Sequence, residues 1–316
     1  MINHTFPFDP TCGYSQAQLL AVTPPDTEPP DFAEFWRATY AETLALRSAP
    51  EVRRIWSPDP ETEVFEVRFE ALGGARLGAF VSRPQDSRGG LVVGHGYGVF
   101  AAPELRRHLT VIVPCIRGFG LSTAPEFPWR SSQHVLCGIQ SRETYILRGA
   151  VADLWRAASV LLELYPDTAT NLVYSGGSFG GGLGALALPW DPRLRAGYLD
   201  VPTFGHHPLR LRFPSNGSGE SVRQYHAEHP DVTAVLAYYD AATAATRIRV
   251  PVVCTPALFD PAVVPPGQFA VNNAIPAAYR QTFVLEAGHW HCAGDAPVKQ
   301  AAAAAFAALC QGDTLR

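Results

Sequence analysis

From residue 90 the chain alternates short apolar runs with stretches of helical spacing. Residues 91–93 and 109–113 are apolar runs that end in glycine-rich loops, Gly94-His95-Gly96-Tyr97-Gly98 and Arg117-Gly118-Phe119-Gly120. Residues 144–165 have the spacing of a long amphipathic helix, and a strand at 172–174 leads into a glycine-rich turn and a helix. A strand at 196–201, a polar, histidine-rich excursion at 203–230, a helix at 231–245, strands at 251–255 and 281–285 and an alanine-rich helix at 295–311 complete the series. Apolar strands separated by helices predict a mostly parallel central sheet flanked by helices on both faces, an α/β fold. Ligands of such sheets bind at the carboxyl ends of the strands.

The first part of the chain reads differently. A proline-rich arm occupies residues 1–30, and Asp31 is placed to cap a helix carrying Phe32, Phe35, Trp36 and Tyr40 at helical spacing. Two alternating strands, 64–70 and 76–83, meet at Gly73-Gly74 as a hairpin expected at a sheet edge. No low-complexity linker divides the chain. The expectation is one domain over residues 1–316, with residues 1–60 an arm and helix packing on it.

Bulk properties narrow the chemistry. The 316 residues are 47% hydrophobic and 17% charged with a net charge of −4, which gives no reason to expect nucleic acid or an anionic membrane as partner. Cysteines 12, 115, 137, 254, 292 and 310 are scattered, without metal-binding spacing, and read as reduced residues of a cytoplasmic protein. The N-terminus has no signal-peptide pattern and no segment is apolar enough to span a membrane. No cofactor or metal is implied.

The chemistry concentrates at residues 171–184, NLVYSGGSFGGGLG. Gly176-Gly177-Ser178-Phe179-Gly180 fits G-x-S-x-G between a strand and a helix, a turn that holds a serine clear of the sheet. A serine at its ordinary pKa is a poor nucleophile, so it needs a base, and the base an orienting acid. In this architecture they follow in the order Ser, acid, His. Asp260 follows a late strand, just before Pro265-Pro266, and His289 follows the last strand in a Gly-His step. Asp200 also ends a strand and suits a structural or pocket-wall role; His291 competes with His289; His206, His207, His226 and His229 suit solvated or rim positions. The Phe179 N–H and the Tyr97 N–H are the candidate oxyanion donors, with the Tyr97 ring flanking the acyl group.

These residues resemble the acetyl xylan esterase / cephalosporin C deacetylase family, carbohydrate esterase family 7, which are α/β-hydrolases that remove small acyl groups from sugars and related alcohols. The resemblance runs through PPDFAEFWRATYAE, HGYG, Arg117-Gly118, GGSFGGGL, LDVP, AYYDA, ALFD with its proline pair, and the Gly-His step. It implies a Ser178–Asp260–His289 triad, oxyanion donors at Tyr97 and Phe179, and a structural Arg117 bracing the loop near the site. It also implies a small-molecule ester substrate and a homo-oligomer, trimer or hexamer. Phe179, Phe119 and Trp290 stand where the family usually has Gln, Gln and Glu, which implies a more apolar pocket or altered support for the loops, and Phe119, Pro202 and Trp290 are the candidate substrate-pocket residues. The segment between Tyr97 and Leu109 is shorter than is usual for the family. The functional expectation is a serine carboxylesterase for short acyl, chiefly acetyl, esters. The alternatives are a hydrolase of bulkier esters, lactones or peptides, or a non-catalytic binding protein on the same frame.

Overall fold

The computed structural model describes residues 2–47, 49–98 and 101–312. Its centre is a nine-stranded sheet in the order β1-β2-β3-β5-β4-β6-β7-β8-β10. These strands are β1 (Glu51–Ile55), β2 (Thr62–Glu70), β3 (Arg76–Pro84), β4 (Gly90–Gly94), β5 (Thr110–Pro114), β6 (Leu172–Gly177), β7 (Leu194–Asp200), β8 (Val252–Thr255) and β10 (Arg280–Thr282). Strands β1 to β3 run antiparallel, β3 meets β5 antiparallel, and every pair from β5 to β10 is parallel. The expected mostly parallel α/β architecture is therefore present.

The apolar runs explain the central strands. β5, TVIVP, is buried at all five positions, as a strand covered on both faces must be. Alternate residues sort cleanly between two layers. Val92, Ile112, Tyr174, Leu199 and Val252 face the main core, whereas Leu91, Val111, Val173, Ala196 and Val253 face the other side. Against the main-core face lie the helices Phe32–Leu44, Ile146–Leu164 and Phe179–Ala187. Trp36 meets Trp155 edge-on at 6.1 Å and donates from its indole nitrogen to the Tyr238 carbonyl at 2.8 Å. Rings of this size bury some 150–250 Å², so at about 25 cal/mol per Å² each contributes roughly 4–6 kcal/mol of transfer free energy before ordering costs. The second face is covered by the helix Asp295–Leu309, through Ala302, Phe306 and Leu309.

Several expectations shift. The β2–β3 hairpin forms, with Gly73 and Gly74 at φ 74° and 76° in its turn. It is not at the sheet edge, because β1 pairs outside it. The segment EVRRI is almost entirely exposed, so it lacks the alternation that marks a half-buried strand. Asp31 stands at the N-cap of its helix but makes no capping bond; its carboxylate is taken by Arg142 and Tyr238. The 231–245 helix is broken at Asp240, whose carboxylate caps the next turn through the Ala242 and Thr243 N–H groups and also accepts from His206 and His207. The last strands bend as well. Pro256, which has no N–H for the ladder, separates β8 from β9 (Ala257–Phe259), and β9 pairs in parallel with β11 (Leu285–Ala287) as a second, two-stranded sheet. The strand expected at 281–285 is thus divided between β10 and β11. Among the described residues no helix is long and apolar enough to cross a membrane.

Candidate active site

Ser178 stands between β6 and the helix Phe179–Ala187 with φ 55° and ψ −112°, outside the ordinary L-residue regions. The surroundings hold it there. Its N–H donates to the Asp200 carbonyl at 2.8 Å, and its carbonyl accepts from Gly182 at 3.0 Å and Thr203 at 3.2 Å. A Cβ at Gly180 would lie 2.0 Å from the Gly94 carbonyl oxygen, so only glycine lets the serine helix come this close to the end of β4.

Three side chains from distant segments meet at this turn. The Ser178 hydroxyl is 2.9 Å from His289 Nε2, and His289 Nδ1 is 2.8 Å from Asp260 Oδ2. A carboxylate at Nδ1 fixes the proton on that nitrogen and leaves the Nε2 lone pair facing the hydroxyl. Burial lowers the His289 pKa, but the Asp260 hydrogen bond and charge, with the charge of Asp200, raise it above its ordinary value on balance. Asp260 is buried. Its Oδ1 accepts from the Ala262 and Val263 N–H groups at 2.8 and 3.0 Å, and its own N–H donates to the Pro10 carbonyl at 3.1 Å. A Cβ at Gly288 would fall 2.0 Å from Asp260 Oδ2, which accounts for the Gly-His step. His291, the competing base, is exposed and makes no hydrogen bond among the described residues.

One residue without a motif of its own, and so unforeseen from sequence, completes this arrangement. The buried Gln268 amide nitrogen donates to Asp260 Oδ2 at 2.8 Å and to the Val263 carbonyl at 2.7 Å, while its oxygen accepts from the Ala257 N–H at 2.9 Å. The only signal was a lone glutamine among apolar neighbours just after the proline pair.

The loop after β4 is braced from below. His95 Nδ1 donates to the Gly96 carbonyl at 3.0 Å, and Nε2 accepts from the Ile116 N–H at 3.1 Å, which fixes the peptide that carries the Tyr97 N–H. Burial lowers the pKa of His95, consistent with a neutral ring. The Tyr97 ring does not flank the cavity at Ser178: it stacks on Phe179 at 3.9 Å and 10°. Its hydroxyl donates to His134 Nδ1 at 2.9 Å, and His134 Nε2 donates to the Arg117 carbonyl at 3.0 Å. Buried His134, another residue unforeseen from sequence, is held neutral, its pKa lowered to about 4 chiefly by burial. Arg117 forms a two-pronged buried pair with Asp153 at 2.7 and 3.0 Å and donates to the Leu72 carbonyl, so it ties the loop after β5 to the main core.

A cavity of about 660 Å³ opens at Ser178, lined among others by His95, Val93, Val113, Asp200 and His289. Phe119, Pro202 and Trp290 do not line it. Phe119 packs edge-on against His95 and beside Tyr97. Pro202 is buried behind the serine helix, where a Cβ on Gly181 would meet it at 3.0 Å. Trp290 faces outward against Phe6 of the N-terminal arm at 5.0 Å. The aromatic replacements pack on Tyr97, His95 and His134 or on the arm and do not line the cavity. Asp200 does form part of the wall; it accepts from Thr255 Oγ1 at 2.5 Å, and burial raises its pKa against the pull of Thr255, Lys299 and His289. His207, expected to be solvated or at a rim, is buried between the Tyr239 carbonyl and Arg210.

Known proteins share this geometry's frame. A family model described as acetyl xylan esterase (AXE1) matches residues 15–303. The acetyl xylan esterase from a Paenibacillus species is similar in structure, with a TM-score of 0.80 at 19% identity over 92% of this chain and 99% of that one. Acetyl xylan esterase 1 from a Thermoanaerobacterium species gives 0.78 at 19% identity over 91% and 97%. A Pyrococcus horikoshii acylaminoacyl peptidase shares the fold less closely, at 0.54 and 12% identity over 79% of this chain and 38% of that one. At these identities the structural likeness speaks to the fold alone.

Proposed function

The chain belongs to the acetyl xylan esterase family of carboxylic ester hydrolases, and on that premise we propose that it cleaves acetyl esters of sugars or related alcohols through Ser178, His289 and Asp260. The observation that carries the assignment is the continuous hydrogen-bonded chain from the Ser178 hydroxyl through His289 to Asp260, at 2.9 and 2.8 Å.

In the first half-reaction Ser178 Oγ attacks the ester carbonyl carbon while its proton passes to His289 Nε2. Asp260 stabilises the imidazolium, and Gln268 and two backbone N–H groups hold Asp260 in place. The Phe179 N–H, at the first position of its helix, has no intrahelical acceptor, and the Tyr97 N–H has no partner among the described residues; these two groups hold the oxyanion. His289 then gives its proton to the departing alcohol, leaving acetyl-Ser178. In the second half-reaction His289 takes a proton from water, the resulting hydroxide attacks the acyl carbon, and acetate leaves with Ser178 re-protonated. Arg117 and His134 take no part in bond-making; they support the loops that carry the oxyanion donors.

From the family resemblance we also propose a homo-oligomer, a trimer or hexamer, in a reducing cytoplasmic setting; light scattering of the purified protein tests the assembly. Turnover of 4-nitrophenyl acetate, butyrate and octanoate tests the reaction. Acetate should be the best of the three, and Ser178→Ala should lower kcat by about 10⁴-fold or more. Preference for octanoate would overturn the acetyl assignment, and failure of a fluorophosphonate to label Ser178 would overturn the nucleophile.

A further inference from the structure

Inner strands of a parallel sheet are normally covered on both faces, and the crossover helix between neighbouring strands does the covering. The crossover from β4 to β5 carries no helix among its described residues. On this face, which the helix Asp295–Leu309 covers only in part, Val93 of β4, Ser175 and Gly177 of β6, and Tyr198 and Asp200 of β7 are only half-buried although they sit mid-sheet.

These positions are divided between two cavities. Val93, Gly177 and Asp200 line the one at Ser178. Leu91, Ser175 and Tyr198, each two residues back on the same strand and therefore on the same face, line a second cavity of about 1070 Å³. Its floor includes Tyr198 and Phe306, whose rings lie 5.5 Å apart. The two cavities thus lie end to end along one face of the sheet, and together they are termed the trench.

The far end of the trench is cationic. Arg88, Arg106, Arg107, Arg195 and His108 line it, and no Asp or Glu among the described residues does. Arg88 and His108 share Asp86, and Arg106 pairs with Glu104. Arg107 and Arg195 are exposed and have no ion pair or side-chain hydrogen bond among the described residues. Arg195 reaches this face because of a bulge: Leu172 pairs with Leu194 but Tyr174 with Gly197, so Arg195 and Ala196 both stand opposite Val173. In a chain of net charge −4, these arginines gather positive charge at the mouth of a cavity, with Asp59 in the field of Arg107.

We propose that this trench binds the alcohol half of the substrate, and that this alcohol is an elongated, polyhydroxylated molecule with an anionic group, as in an acidic oligosaccharide. This rests on the esterase reading, because a small acyl group at Ser178 leaves the long arm to the alcohol. Asp200 stands opposite Gly177 and Arg195 opposite Val173, four residues along β6, which sets the distance between ester and anion at about 13 Å, at roughly 3.3 Å per residue. Ser175, Tyr198 and Asp200 offer hydroxyl and carboxyl partners along the way, and the Tyr198 ring a flat surface.

The test compares O-acetylated trigalacturonate with its methyl-esterified, uncharged counterpart, using 4-nitrophenyl acetate as a substrate without an arm. The wild type should favour the charged trimer about tenfold in kcat/KM, a modest case of charge-guided recognition. Salt should narrow that gap. The Arg107→Gln/Arg195→Gln variant should abolish it while leaving 4-nitrophenyl acetate turnover unchanged. Equal kcat/KM for the two trimers, or a preference that survives in the double variant, overturns the proposal. Calorimetric titration of unacetylated trigalacturonate into Ser178→Ala separates the two readings. Lack of binding there, with 4-nitrophenyl acetate turned over normally by the wild type, sinks the trench alone; binding without any wild-type esterase activity sinks the esterase reading alone.

Discussion

Ser178 and His289 illustrate what single residues decide in this protein. A serine at φ 55° costs conformational energy, on the order of 1–3 kcal/mol, which the surrounding hydrogen bonds and the close helix packing sustain. The glycines around it made that position readable from sequence. Gln268 and His134 were not readable, because a single glutamine or histidine has no periodic signature and acquires a role only from the neighbours the fold brings to it. The His289 pKa leads to a prediction. In the proposed mechanism the neutral imidazole accepts the serine proton, and Asp260 and Asp200 hold the charged form in favour. Hydrolysis of 4-nitrophenyl acetate, followed as kcat/KM, should therefore rise with pH through an inflection above 6.5, the ordinary histidine value. In Asp260→Asn the upward influences of Asp260 vanish while burial still lowers the pKa. The inflection should move to lower pH and kcat should fall by roughly 10⁴, the scale seen when a triad acid becomes its amide. An inflection that stays in place in the variant would mean that Asp260 does not set the basicity of His289.

Among elements, the β6–turn–helix unit matters most, and its fit depends on what it avoids. Gly180 lies against the Gly94 backbone and Gly176 against the Tyr174 hydroxyl, which itself donates to the Gly180 carbonyl at 2.6 Å. Gly180→Ala places a Cβ where a backbone carbonyl already is, and backbone cannot swing aside as a side chain can. The variant should lose about 1–3 kcal/mol of stability in urea unfolding and most of its esterase activity. Wild-type stability in that variant would show that the helix and β4 separate easily. The long central elements were legible because period and length mark them. The exposed β1 and the bent β8–β9 and β10–β11 pairs were not, since their residues neither alternate nor run long enough.

At the scale of the whole molecule, the N-terminal arm holds the acid loop. The Pro10 carbonyl accepts from the Asp260 N–H, and Phe6 packs on Phe259 and Trp290, the residues that flank Asp260 and His289. Removing residues 1–14 should leave the far-UV circular dichroism nearly unchanged and lower kcat by about tenfold or more, because small displacements of a catalytic group are costly. Full activity in the truncated protein would show that the acid loop is positioned without the arm.

The local pattern by itself determined the alternation of strands and helices, the strained turn at Ser178, and the order in which the proposed nucleophile, acid and base follow along the chain. Those features depend on neighbours a few residues apart, whose spacing and backbone freedom are written in the chain. Only the tertiary structure decided that residue 10 supports residue 260, that Gln268 grips Asp260, that the aromatic replacements pack away from the cavity at Ser178, and that Val93, Gly177 and Asp200 stay half-buried beside the serine. Each of these is a contact or an opening between segments far apart in sequence, created when the sheet and its layers come together.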